Sequence, residues 1–240
     1  MKTLSFLLGT LLILPTSLLA ADIKPPFEVR LWESTAPGSE GVQDKEKVVE
    51  RGDGKTLIDR SISDTVIPTL TVHLPNKQKE PTAAVVIVPG GGLTRAVIDK
   101  EGNDLARLLS QAGIAGLVLK FRNAKTSTTF NGIEVMEADI RRAIRLTRFH
   151  ASDWNINPQR VGTFGFSAGG IVAVTPLIHP IGERPDHQDR IDRLSSEVAF
   201  FGGAYPLLSM QTEVAGAGYQ KLLFGEKPTK DQINKYSAEL

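Results

Sequence analysis

The sequence predicts an α/β fold, with helices on both faces of one mostly parallel, doubly wound sheet. Three observations carry that expectation. "AAVVIV" (83–88) and "IAGLVLKF" (114–121) are continuous apolar runs of strand length, as strands covered on both faces are. Segments of helical period follow each of them. Strand and helix then keep alternating, which is the order that parallel βαβ units impose.

Taken in order, residues 22–66 are rich in Pro, Gly and charge ("KPPFEVRLWESTAPGSEG", "ERGDGK") and read as an irregular lead-in with short edge strands. "TLTVHL" (69–74) alternates like a half-exposed strand, "NKQKEP" turns, and "AAVVIV" follows as a buried strand. "EGNDLARLLSQAG" places Leu105, Leu108 and Leu109 on one helical stripe that ends at Gly113. After "IAGLVLKF", the stretch "GIEVMEADIRRAIRLTRFH" offers Ile133, Met136, Ile140 and Ile144 on one face and a basic last turn. "RVGTFGF" is the next strand, "AGGIVAVT" a short helix stopped by Pro176, and "SEVAFFGGAYP" a further strand. No repeat, low-complexity tract or second domain interrupts this pattern.

Composition narrows the function classes. Net charge is +1 and the basic residues are interleaved with acids, so no basic face for nucleic acid or anionic lipid is expected. The start, "MKTLSFLLGTLLILPTSLLAAD", has an early Lys2, an apolar stretch from Leu4 to Leu14, a break at Pro15 and small residues at Ala20 and Ala21. It reads as a signal peptide over residues 1–21, with a mature domain over 22–240 that is secreted or periplasmic and has no membrane contact after cleavage. An uncleaved anchor is the competing reading. Cysteine is absent, so no disulfide assists the core despite export. "RGD" (51–53) is a chance meeting of common surface residues.

"GFSAGG" (165–170) carries the chemistry. Gly165-Phe166-Ser167-Ala168-Gly169 fits G-x-S-x-G between a predicted strand and a predicted helix, the setting of a nucleophile elbow. Ser167 must then take a sparsely populated backbone conformation, at a cost of about 1–3 kcal/mol, while strand and helix nearly touch. Side chains at Gly165 and Gly169 would collide there. A glycine loop, "VPGGGL", follows the earlier strand, and the amides of Gly91 and Gly92 with that of Ala168 form a candidate oxyanion hole. Two simpler readings compete. Ser167 is also a good helix cap. The three glycines suit a phosphate, although no Lys-Ser/Thr pair follows and the spacing is not G-x-G-x-x-G.

"LWESTAPGSEG", "IPTLTVHLP", "VVIVPGGG", "DKEGNDLARLL", "EADIRRAIRLTR", "WNINPQRVGTFGFSAGG" and "IDRLSSEVAFFGGAYP", in this order, resemble the α/β-hydrolase group of acetylxylan-esterase-like carbohydrate esterases, from about Pro26 onward. The resemblance implies a secreted bacterial serine esterase that removes acetyl or other short acyl groups from plant polysaccharide or oligosaccharide. Its substrate would be a small acylated carbohydrate, with no metal or organic cofactor and no nucleic-acid partner. It places the nucleophile at Ser167, the elbow amide at Ala168 and the oxyanion loop at Gly91 and Gly92. The chain departs from the group in three places. Ile171 stands where relatives often carry histidine, and "NAKTSTTFNGIEVM" lacks a His-Pro-rich segment. The family's closing segment, which carries the triad Asp and His, resembles nothing up to "NKYSAEL". The expectation is therefore an α/β-hydrolase sheet truncated after its sixth strand, leaving Ala199, Phe200 and Phe201 on an open, association-prone edge.

Of the four histidines, His73 falls in an early strand and His150 at a helix end, where both are expected to pack or face solvent. His179 and His187 follow Ser167 in the right chain order, with Asp186, Asp189 and Asp192 nearby. A helix of eight residues would, however, carry the chain about 12 Å from the serine, and "HPIGERPDHQDRIDR" has the charge of a solvated loop. His187 as a surrogate base is the weaker reading. Two other functions stay open: a non-catalytic secreted carbohydrate-binding protein, against which 6% aromatic residues argue, and another hydrolase on the same fold, such as a lipase or peptidase.

Overall fold

The computed structural model describes residues 25–43, 45–76, 79–123 and 132–240. The expected signal peptide (1–21) and most of "NAKTSTTFNGIEVM" lie outside the described residues. The central sheet has six strands: β1 (Phe27–Arg30), β4 (Thr69–His73), β5 (Thr82–Val88), β7 (Ala115–Lys120), β8 (Ile156–Phe166) and β9 (Phe201–Ala204). Their spatial order is β1-β4-β7-β5-β8-β9. β7, β5, β8 and β9 run parallel, and β4 and β1 add antiparallel at one side. A smaller antiparallel sheet joins β2 (Lys47–Glu50), β3 (Arg60–Ser63) and β6 (Arg95–Val97).

Burial explains the strand pattern. Every residue of β5 is buried, as its unbroken apolar run requires. β4 is buried on both faces rather than half-exposed, because it lies between β1 and β7 and is covered from above and below. Its alternation of Thr and apolar residues signalled solvent, whereas the threonines lie inside or near the core.

The core divides into two layers, one on each face of the sheet. α2 (Gly132–Phe149) and α4 (Gly169–Ile178) cover one face, with Ile133, Met136, Ile140 and Ile144 packed on Val86, Val88, Leu117 and Leu119. α1 (Asp104–Gln111) covers the other, packing Ala106 with Val85, Ile87 and Val118. The expected leucine stripe of α1 is only partly inward, since Leu108 is 54% exposed and Leu105 and Leu109 are half-buried. The helix approaches β7 so closely that a Cβ on Gly116 would stand 2.6 Å from the Ala106 Cα, which turns the small residue Ala106 to the sheet.

Further differences concern α4, β9 and the end of the chain. α4 continues through Pro176 to Ile178, because its residues 169–176 are all buried and packing offsets the missing backbone donor. Only Phe201–Ala204 of "SEVAFFGGAYP" pairs as a strand; β9 is the outer strand among the described residues, with Phe200 lying across Gly162 of β8. α5 (Thr212–Phe224) and α6 (Lys230–Lys235), unanticipated from the sequence, follow it. A short helix, α3 (Ala151–Trp154), precedes β8. Among the described residues no helix is long and apolar enough to cross a membrane.

The charged loop after α4 is mostly solvent-exposed, as expected, but it is also tied down. Arginines of α2 donate to its carbonyls, Arg141 to His179 at 2.7 Å, Arg145 to Leu194 at 2.8 Å and Arg148 to Ser195 at 2.6 Å. Asp192, buried, pairs with Arg142 at 3.3 Å and Arg145 at 3.4 Å. The polar side of α2 thus faces another part of the chain.

Candidate active site

β5 and β8 are neighbours in parallel register, with Val88 opposite Gly165, so both strands end at the same edge of the sheet. The glycine loop after β5 and the Ser167 turn after β8 consequently leave the sheet side by side. The carboxyl ends of parallel strands, on either side of such a junction, are where open α/β sheets place their ligands.

Ser167 has φ 47°, in the left-handed region, at the junction of β8 and α4. The turn is pinned on three sides: the Ser167 amide donates to Ala204 O at 3.2 Å, and its carbonyl accepts from Gly170 N at 3.0 Å and Leu207 N at 2.7 Å. Both flanking glycines are sterically required. A Cβ on Gly165 would meet Gly170 Cα at 2.6 Å, and one on Gly169 would meet Pro89 O at 2.5 Å. Ala168 is the residue before the first turn of α4 and is buried, and the positive end of the helix dipole lies behind Ser167.

In the facing loop Gly91 has φ 131° and Gly92 φ 66°, conformations open to glycine and costly for other residues. Gly91 O accepts from Thr94 N at 3.4 Å and Gly90 O from Val97 N at 2.9 Å, which folds the loop back into β6. Among the described residues the amides of Gly91, Gly92 and Ala168 make no hydrogen bond. Gly90 differs, since its amide donates to Glu101 Oε2 at 3.0 Å. The other oxygen of Glu101 accepts from the Tyr205 hydroxyl at 3.1 Å. Burial, reinforced by the Glu101 carboxylate, pushes the Tyr205 phenol upward, so it stays a donor. Sequence reasoning missed Glu101 and Tyr205. Nothing in "DKEGN" marks an acid that turns back to a loop eleven residues earlier.

None of the four histidines hydrogen-bonds to Ser167 among the described residues. His73 is buried beside Asn103 Oδ1 at 3.0 Å, and burial lowers its pKa. His150 stacks on Trp154 and meets Asp153 Oδ2 at 3.2 Å. His179 Nε2 donates to Lys235 O at 2.5 Å, and His187 Nδ1 accepts from Asp189 N at 3.2 Å. Asp189 and Asp192 are engaged by α2 arginines. No group of three His, Cys, Asp or Glu residues suited to a metal ion occurs among the described residues. A cleft of about 510 Å³ opens beside Trp32, Thr35, Val42 and Ile67, but its lining includes no residue of the Ser167 turn or the glycine loop.

The BD-FAE family matches residues 70–179, from the second residue of β4 through the end of α4. An acetylxylan esterase of Xylanibacter ruminicola is 31% identical over 159 residues, covering 65% of this chain. The chain is similar to acetylxylan-esterase-like α/β-hydrolases in these matches. It spans 29% of the length of that curated relative. The α/β-hydrolase fold agrees with two solved structures. An acetyl ester-xyloside bifunctional hydrolase from Caldicellulosiruptor lactoaceticus superposes with TM-score 0.67 at 23% identity, over 91% of this chain and 71% of that one. A thermophilic esterase from Thermogutta terrifontis does so with TM-score 0.55 at 21% identity, over 84% and 68%.

Proposed function

We propose that this α/β-hydrolase is a secreted or periplasmic serine esterase that removes acetyl or other short acyl groups from plant polysaccharide or oligosaccharide. One observation carries the reading. Ser167, at φ 47°, ends the strand next to the one that carries the glycine loop, and the amides of Ala168, Gly91 and Gly92 make no hydrogen bond among the described residues. A strained serine and uncommitted amides at the same sheet edge suit what acyl transfer needs: an attacking hydroxyl, and donors for the oxygen that becomes negative.

In the proposed reaction Ser167 Oγ attacks the ester carbonyl and its proton passes to a base. The three amides receive the oxyanion. Collapse expels the sugar hydroxyl, which takes up a proton, and leaves an acyl-enzyme. Water then attacks the acyl carbon and releases acetate while the Ser167 proton is restored. Each amide contributes about 2.7–4 kcal/mol in comparable sites. With no histidine hydrogen-bonded to Ser167 among the described residues, turnover by these residues alone is expected near the residual of roughly 10³–10⁴-fold over water that such sites keep without their triad partners.

The test has two parts. A fluorophosphonate probe should label Ser167 and leave Ser167→Ala unlabelled. Acetate release should be greater from acetylated xylan than from acetylated peptides or long-chain esters. A probe that spares Ser167 would end the serine mechanism, and preference for a peptide or long-chain ester would reassign the substrate.

A further inference from the structure

The esterase reading leaves Glu101 without a role, yet its carboxylate lies beside the reacting serine. Glu101 Oε2 and Ser167 Cβ converge on the point where Gly90 lacks a Cβ: the serine carbon is 2.9 Å from it and the carboxylate oxygen nearer still. The carboxylate is aimed by an irregular backbone. It sits in a π-type turn (Asp99–Asn103) with φ −106° and ψ 22°, and such turns concentrate at functional sites. Its two oxygens serve donors from different strand ends, Gly90 after β5 and Tyr205 after β9. β8, which delivers Ser167, lies between those two strands, so Glu101 bridges across the nucleophile turn.

Tyr205 supports the same conclusion. It adopts φ 41°, costly for a bulky residue, although its side chain is 68% exposed and contributes little to the core. Its hydroxyl contact to Glu101 and its edge-on ring contact with Phe166, at 6.0 Å between centroids, give the strained conformation a purpose.

We propose that Glu101 is a positioning residue of the Ser167 site: by holding the Gly90 amide and being held by Tyr205, it fixes the loop so that the next two amides, of Gly91 and Gly92, face the cleft. This rests on the esterase reading. Glu101 forms no bond to substrate and transfers no proton.

The experiment measures the rate of fluorophosphonate labelling at Ser167 together with the melting temperature, in wild type, Glu101→Ala, Glu101→Gln and Tyr205→Phe. Loss of the carboxylate in Glu101→Ala should slow labelling about 100-fold, as a misplacement near 1 Å does. Glu101→Gln keeps an acceptor for the Gly90 amide and should stay within about threefold of wild type. Tyr205→Phe, at an exposed position, should slow labelling about fivefold with an unchanged melt. A wild-type rate in Glu101→Ala would overturn the proposal while leaving the esterase reading intact. Equal loss in Glu101→Gln and Glu101→Ala, with both folded, would overturn it in favour of proton transfer. Should Glu101→Ala fail to fold, an unchanged rate in Tyr205→Phe overturns the proposal and a slowed one supports it. A wild type that takes no label at Ser167 removes the serine reading, and this proposal with it.

Discussion

Arg122 and Asp139 form an ion pair with both side chains wholly buried, Nη2 to Oδ1 at 2.7 Å. Arg122 follows β7 and Asp139 lies on α2, so the pair fastens that helix to the end of a central strand. The Arg122 fork also donates to Ser39 Oγ at 3.0 Å and to Val135 O at 3.3 Å, and Trp32 Nε1 donates to Asp139 Oδ1 at 3.3 Å. The buried charge pair thus adds a polar anchor for the irregular lead-in, whose strands are also paired into the sheets.

Removing one partner strands the other in a dry interior. Asp139→Ala is expected to destabilise the fold by about 3–5 kcal/mol. Urea unfolding against wild type measures it, and a change under 1 kcal/mol would show that water reaches Arg122.

The close approach of strand and helix at the Ser167 turn leaves no room for a methyl group. Gly165→Ala and Gly169→Ala should each lower stability by about 1–3 kcal/mol through forced backbone shifts. Both should also slow fluorophosphonate labelling more than their melting temperatures suggest, because the shift is centred on Ser167. Labelling at wild-type rate in both variants would contradict the collision geometry.

Strain at Ser167 is testable by relieving it. Ser167→Gly can adopt φ 47° freely, and the relief should outweigh the greater chain entropy of glycine by about 1 kcal/mol. The melting temperature should therefore rise slightly while labelling disappears; Ser167→Ala, equally strained, should show no such rise. A lower melt in Ser167→Gly than in Ser167→Ala would mean that the turn stores no strain.

Burial holds the pKa of His73 below its ordinary value, with Asn103 opposing the effect only partly. A depressed folded pKa favours the neutral ring, so its contribution is complete above the unfolded value near 6.5 and is lost as pH falls through the folded value. Urea midpoints at pH 7.5 and 5.5 should fall in wild type and fall less in His73→Gln. Parallel declines in the two proteins would assign the pH dependence to other groups.

Legibility in the sequence followed locality. The all-buried β5, the apolar face of α2 and the G-x-S-x-G turn could be read because each is specified by residues within a few positions of one another. Glu101 was not legible, since its importance depends on an irregular turn that points it at Gly90 and Tyr205, the latter 104 residues later. The contacts of the α2 arginines were not legible for the same reason: their partners lie 38–55 residues further on, in a loop whose charge suggested only water. The helix through Pro176 escaped as well, because propensity counts the lost donor and is blind to the packing that surrounds it.

By itself the chain determined the alternation of strands and helices, the two-sided burial of its central strands and the presence of a serine between glycines, all matters of period and side-chain size. Tertiary structure alone decided that β5 and β8 end side by side, so that the glycine loop and the Ser167 turn leave the same edge of the sheet, and that Glu101 bridges from Gly90 to Tyr205. The reason is that convergence of groups far apart in sequence depends on strand order and register, which are set by the packing of whole elements and leave no mark in any short stretch of residues.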